Sequence, residues 1–250
     1  MTGQVLLERI RRRLTSAGLN VVLPLGRGGF DAVCIAGRGP SLHDLLARGE
    51  GAVIIGDGGP SFFSRFRAQH PAAANGEAGH DPLDTFTRAV MENAVADLFG
   101  PMVSRDSFRL LYPFTNAQPA LPFQRLGQAA GLPAPGPLGI QIHPIHGPWW
   151  AYRALLIVSE VLIEEPPVAA SCTNCPRPCV AACPGRAVLP LGFAVDRCMT
   201  HRPSDPGCWS SCIARTRCPV GSTHRYPDEQ LAFHMAGSFG RAPSRSGTDA

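Results

Sequence analysis

The chain contains no lysine; all 23 of its basic side chains are arginine. That absence excludes a catalytic or Schiff-base lysine and a phosphate-binding P-loop, both of which need the ammonium group. Genome composition is the plain reading of the bias. Long apolar runs are missing too. The longest, ALLIV followed by VLI around Ser159 and Glu160, is too short and too interrupted to span a bilayer. The first apolar stretch is short and is broken by Glu8 and Arg9, so no secretory signal is visible. These features point to a cytoplasmic protein with no membrane partner, whose thiols stay reduced. The net charge of +4 is mild and the basic residues are scattered. Nucleic acid is therefore not expected as a partner, and the RIRRR run at Arg9 to Arg13 reads as the wet face of an N-terminal helix.

What is present is a chain of 250 residues, enough for one large domain with a smaller appendage. With 27 glycines and 25 prolines, many loops and short elements are expected. Residues 4–17 carry apolar positions at helical spacing, and Gly18 is a plausible stop. NVVLPL and GAVIIGDGG read as strands, and SFFSRFRAQ as the helix that follows. HPAAANGEAGHDP is a loop, and LDTFTRAVMENAVADLF, from Leu83 to Phe99, is the clearest amphipathic helix. SFRLLYPF reads as a strand and LPFQRLGQAAGL as a helix. GIQIHPI and YRALLIVSEVLI, on either side of the HGPWW turn, read as two strands of one sheet. Cys34 sits alone in a strand-like apolar context and reads as a buried small residue. EEPPV marks a boundary near residue 165. The expected organisation is a main domain over 1–165, a cysteine-rich module over 166–222, a terminal helix over 223–238 and a disordered tail from 239.

Eight of the nine cysteines lie between 172 and 218. Cys172, Cys175, Cys179 and Cys183 are spaced C-x2-C-x3-C-x3-C, with Pro184 after the last. Cys198 follows alone, then Cys208, Cys212 and Cys218, with Pro219 after the last. The odd total and a reducing compartment argue against complete disulfide pairing. Eight thiolates supply two four-cysteine sites, as two [4Fe-4S] clusters require, and a closing Cys-Pro is characteristic of two-cluster ferredoxins. Zinc is the rival, although only Cys172 and Cys175 have the usual knuckle spacing. In two-cluster ferredoxins the cysteine before proline ligates the other cluster. By that rule one site uses Cys172, Cys175, Cys179 and Cys218, and the other Cys183, Cys198, Cys208 and Cys212. The extra residue before Cys179 departs from the compact bacterial pattern.

Most of the chain precedes the cysteines, so they are expected to serve something the larger domain binds. AAGLPAPGPLGIQIHPIHGPWWAYRALLIVSEVLI, followed at once by the first cysteine group, resembles epoxyqueuosine reductase. That family is a cobalamin-dependent, two-cluster relative of the reductive dehalogenases. LERIRRRLTSAGLNVVLPL, GIQIHPIHGPWWAYRALLI and HRYPDEQLAFH are together similar, in order, to the CblC cobalamin-processing proteins. This second resemblance implies an α+β fold with a flavin-nitroreductase-like mixed sheet, to which a small ferredoxin-like two-cluster module is added. It implies cobalamin (a corrinoid) held with its lower base displaced, loss of its upper ligand, and a thiol such as glutathione as a partner. A reduced electron donor (ferredoxin, flavodoxin or flavoprotein) would feed the clusters, and a homodimer stays open. Two departures stand against epoxide chemistry. The aspartate proposed as general acid in epoxyqueuosine reductases is matched by Asn116, an amide that cannot deliver a proton. The lysine–asparagine pair of that family is missing as well.

The residues so implicated each have a plainer alternative. Trp149 and Trp150 could wall a macrocycle or be core residues, and on a strand they would face opposite sides. His143 and His146 could bind cobalt or carry a proton, or be hydrogen-bonded turn histidines. Gly139 and Gly147 could admit a large ligand or simply make turns. Arg153 and Arg225 match arginines proposed to contact glutathione, and Arg153 could instead neutralise a buried carboxylate of the sheet. His201 and His224 could tune a cluster or cap loops. The expected function is an iron–sulfur corrinoid reductase. Its rivals are reduction of an organic substrate by bound cobalamin, and a ferredoxin-type electron carrier.

Overall fold

The computed structural model describes residues 2–71, 81–100, 106–115, 121–163 and 172–239. Most of the expected loop at 70–82, Asn116, the EEPPV boundary and almost all of the expected tail lie outside these residues.

The main domain is built on four strands: β1 (Val21–Gly26), β2 (Gly51–Gly58), β3 (Phe108–Leu111) and β4 (Trp150–Val158). They lie in the order β1-β2-β4-β3, and every described pair is antiparallel. The fold is α+β as expected, but the sheet is antiparallel rather than mixed. The connection between β1 and β2, through α2 (Arg27–Ala36) and α3 (Leu42–Leu45), returns the chain beside β1 in the opposite direction.

Helices cover both faces of this sheet. On one side α1 (Gly3–Thr15), α4 (Ser61–Gln69) and α5 (Pro82–Phe99) bury Leu6, Ile10, Phe62, Phe66 and Phe86 against Val53, Ile55, Leu156 and Val158. On the other, α2, α3 and α6 (Phe123–Ala129) bury Phe30, Cys34, Leu42 and Leu126 against Ala52, Ile54, Leu155 and Ile157. Strands covered on both faces need apolar side chains at every position, which is why GAVII and ALLIV read as unbroken runs. Local signals start the helices. Thr2 and Asp81 accept from the backbone amides of Val5 and Leu83, and Ser41 with Asp44 forms a capping box.

Three local readings change. Cys34 lies on α2, whose apolar positions Phe30 and Cys34 are four residues apart, and not on a strand. β4 stops at Val158 and does not continue through VLI. GIQIHPI is a loop and not a strand; its one ladder contact is an isolated bridge between His143 and Gly147. Gly139 has φ +74°, and side chains hold the segment in place of a ladder. Trp150 donates from Nε1 to the Gln141 carbonyl at 2.8 Å, and Gln141 donates from Nε2 to the Pro133 carbonyl at 2.9 Å.

The cysteine-rich module is made of short pieces: α7 (Pro178–Ala182), the hairpin β5 (Val188–Leu189) and β6 (Gly192–Phe193), α8 (Val195–His201), α9 (Pro206–Ser210) and α10 (Ile213–Thr216). The last helix, α11 (Asp228–Phe239), packs back on the main domain. Phe233 lies with its ring 5.2 Å from that of Phe63 and 5.7 Å from that of Phe66. Among the described residues no helix is long and apolar enough to cross a membrane.

Candidate functional site

All nine cysteines are free thiols. Cys172, Cys175, Cys179 and Cys218 line one recess, together with Leu138 and Ile142 from the main domain's loop. The Cys218 thiol is pushed up by burial, and further by Cys179, Cys172 and Cys175 beside it. Cys183, Cys198, Cys208 and Cys212 form a second group. Burial raises Cys208 to about 11, helped by Asp205 and then by Cys212, Cys183 and Cys198. Cys198 is raised by burial first and then by Cys212 and Cys183. A thiol with a raised pKa is protonated at neutral pH when empty, so a metal centre must displace protons to bind.

Two backbone amides point at sulfur. Arg177 donates to Cys175 Sγ at 3.4 Å and Ala187 to Cys183 Sγ at 3.3 Å, one in each group. Such contacts stabilise charge on sulfur and are one of the levers by which a protein tunes a metal–thiolate centre. Apolar side chains close the interior between the groups: Leu138, Ile142, Val188 and Ala214 are buried against the cysteines. One alternative donor set overlaps the second group. The ligand atoms of His201, Asp205 and Cys208 lie within 4.8 Å of one another. The Asp205 carboxylate is already engaged, accepting from the Gly207 amide at 2.8 Å through Oδ1 and sitting 3.1 Å from His201 through Oδ2.

Four of the residues assigned above, Gly139, His146, Gly147 and Trp149, lie on the seam between the main domain and the module. Gly147 has φ +61°, and a Cβ there would collide with the Val220 carbonyl of the module; a Cβ on Gly221 would collide with the backbone of His146. A Cβ on Gly139 would lie 3.0 Å from Phe193. His143 accepts at Nδ1 from the amides of Ile145 and His146, each at 3.2 Å, and so holds its own turn. The His146 ring lies 4.7 Å from that of His143 and 4.5 Å from that of His224. Burial, then the neighbouring histidines, lowers His143 to about 4; burial, then His224, lowers His146 to about 4, so both are neutral at pH 7. Trp149 is 1% exposed and packs with Tyr226 and Leu231, whereas Trp150 packs with Val21 and Leu132. They face opposite sides and both are core residues. Of the eight residues only Arg225 is exposed, its guanidinium 5.9 Å from the Trp149 ring. Of the other seven, six are buried and Gly139 is half-buried among the described residues.

Arg153 pairs with a buried carboxylate. A β-bulge in β4 leaves it without a partner on β2, and its Nε lies 2.5 Å from Asp57 Oδ1, with Asp57 fully buried. The guanidinium also sits 5.7 Å from the Phe62 ring. Sequence reading missed Asp57, although a lone acid closing the apolar run GAVIIGD demands a cation. It also missed Arg215, between Cys212 and Cys218. Arg215 donates to the Pro148 carbonyl from Nε at 3.0 Å and from Nη2, and its guanidinium stands 4.8 Å over Trp149 and 5.0 Å over Tyr226. This one side chain ties the module to the HGPWW turn.

No family model and no curated protein sequence matches the chain. Solved structures do. A selenomethionine-labelled epoxyqueuosine reductase aligns with TM-score 0.62 at 14% identity, over 92% of this chain and 71% of that one. Epoxyqueuosine reductase from Streptococcus thermophilus aligns with TM-score 0.58 at 14% identity, over 88% and 67%. The B12-trafficking protein CblC of C. elegans, a human MMACHC homologue, aligns with TM-score 0.57 at 17% identity, over 93% and 91%. The chain shares the fold of these proteins.

Proposed function

We propose that this chain is an iron–sulfur oxidoreductase carrying two [4Fe-4S] clusters and serving a corrinoid. The observation that carries the reading is the sorting of eight cysteines into two sets of four, with Cys218 joining the set of Cys172, Cys175 and Cys179. The chemistry of the donors fits the group. Each set offers four thiols in apolar surroundings and receives an amide N–H on one sulfur, an environment in which a cluster exchanges single electrons. The cysteines would hold the clusters, Leu138, Ile142 and Val188 would keep water from them, and Arg215 would fix the first set against the main domain.

The corrinoid end of the reading is supported by the fold, shared with a B12-trafficking protein and with epoxyqueuosine reductase. A bound corrinoid would supply cobalt redox chemistry. We route no step through the seam residues; His146 Nδ1 and Trp149 Nε1 there are buried and have no hydrogen-bond partner among the described residues. Arg153 pairs with Asp57 through Nε, while its buried Nη2 has no hydrogen-bond partner among the described residues.

Anaerobic purification or reconstitution tests the proposal. About eight iron and eight sulfide per chain are expected, with broad visible absorption bleached by a strong reductant. Hydroxocobalamin is expected to co-elute with the protein and to change spectrum when the clusters are reduced. Zinc in place of iron sinks the cluster reading. Loaded clusters with no corrinoid retention leave an electron carrier.

A further inference from the structure

The β5–β6 hairpin forms one wall of the cysteine interior and one corner of the surface. Its inner residues, Val188 and Phe193, belong to the apolar cluster that includes Cys179, Cys172, Cys183, Cys212 and Cys218. Its outer end is apolar and, among the described residues, uncovered: Leu191 is 97% exposed, Leu189 36%, and Val195, which opens α8 just after β6, 59%. Three arginines flank this tip. Arg177 reaches along it and donates from Nη1 to the Pro190 carbonyl at 2.8 Å. Arg186 precedes β5 and is exposed, and Arg197 donates from Nη1 to the Arg186 carbonyl at 3.3 Å. Asp196 is the one acid between Arg177 and Arg197, so the stretch carries three arginines against one carboxylate.

The backbone at two of these arginines carries a second observation. Arg177 and Arg186 have φ +54° and +49°, two of the three positive-φ non-glycine residues described. That conformation aims the amides of Arg177 and Ala187 at Cys175 and Cys183. Glycine would satisfy the geometry at least cost, whereas an L side chain is strained there. The backbone requirement explains the turn but not the guanidinium.

We propose that this arginine-flanked hairpin is the docking face for a small acidic electron-carrier protein, which delivers single electrons to the cysteine-held centres directly behind it. The proposal rests on the two-cluster reading. An apolar centre rimmed by charge suits a protein partner, and a positive rim selects an acidic one and speeds the encounter. In the step itself one electron leaves the carrier, which is oxidised, and enters a cluster, which is reduced; no bond forms or breaks.

The probe is flavodoxin, an acidic one-electron carrier, used both oxidised and photochemically reduced, with reduced methyl viologen as a small cationic control. Wild-type protein is expected to be reduced by flavodoxin at a rate that falls with added salt. The variant R177G/R186G/R197A is expected to be slowed at least about tenfold and to lose most of that salt dependence, with the viologen rate unchanged or faster. Calorimetric binding of oxidised flavodoxin, which needs no electron transfer and no cluster, is expected to weaken alongside. R177G and R186G alone are expected to melt at or above the wild-type temperature, which separates lost docking from lost folding. A variant with wild-type rate, affinity and salt response overturns the proposal. So does a wild-type protein reduced by viologen but not by flavodoxin, or one that binds an RNA stem-loop and not flavodoxin. Absence of iron from a wild-type protein that still binds flavodoxin counts against the cluster reading and not against the docking face.

Discussion

Asp57 shows how a residue can be legible only through its partner. Arg153 could be read from sequence either as a ligand contact or as the mate of a buried acid, and nothing in a linear string chooses between contacts 96 positions apart. Removing one member of a buried pair strands the other charge. Asp57→Ala is therefore expected to destabilise the fold by about 3–5 kcal/mol in urea denaturation, and Asp57→Leu with Arg153→Met to recover much of that loss. The buried histidines make a second prediction. His143 and His146 are held at about 4, against 6.5 for a free histidine. At a pH between those values the unfolded chain takes up protons that the folded chain refuses. Their contribution to stability is full above 6.5 and is lost as pH falls towards 4. The urea midpoint is expected to drop across that window, and His146→Asn to flatten the drop.

Helices and strands with strong periodicity were readable because each has one dominant cause. α1, α4, α5, α6, β1 and β2 announce themselves by apolar spacing, and α1 and α5 also carry side-chain caps. GIQIHPI failed as a strand because Ile140 and Ile142 belong to a loop and turn towards the module, a partner invisible to local pattern, while Ile145 is exposed. α2 was hidden because it follows β1 with no polar spacer, its start at Arg27 marked only by the glycine before it. The seam is where elements meet most tightly. Gly147→Ala is expected to be strongly destabilising and to lower iron content, since the added methyl meets the Val220 carbonyl and strains a positive φ. Gly28→Ala on α2, where a Cβ has nothing within 4 Å, is expected to raise stability by about 0.5–1 kcal/mol. Thermal melts of the two variants, with iron assayed on each, check both.

Across the whole molecule, the two cysteine sets are interlaced along the chain, and α11 fastens the module's far end back onto α4 through Phe233 and the 2.6 Å pair between Arg67 and Glu229. Under the proposed assignment Cys218→Ser is expected to release more than half of the iron, because the first site loses a ligand and the second loses a rigid neighbour; Cys34→Ala on α2 is expected to leave the iron content unchanged. Interlacing also imposes a timetable during synthesis. Cys218 lies 39 residues after Cys179. At roughly 5–20 residues per second, three thiols of the first site emerge about 2–8 s before the fourth exists. A newborn chain thus presents an incomplete claw to whatever metal or oxidant is at hand, and only the arrival of its last cysteine closes it.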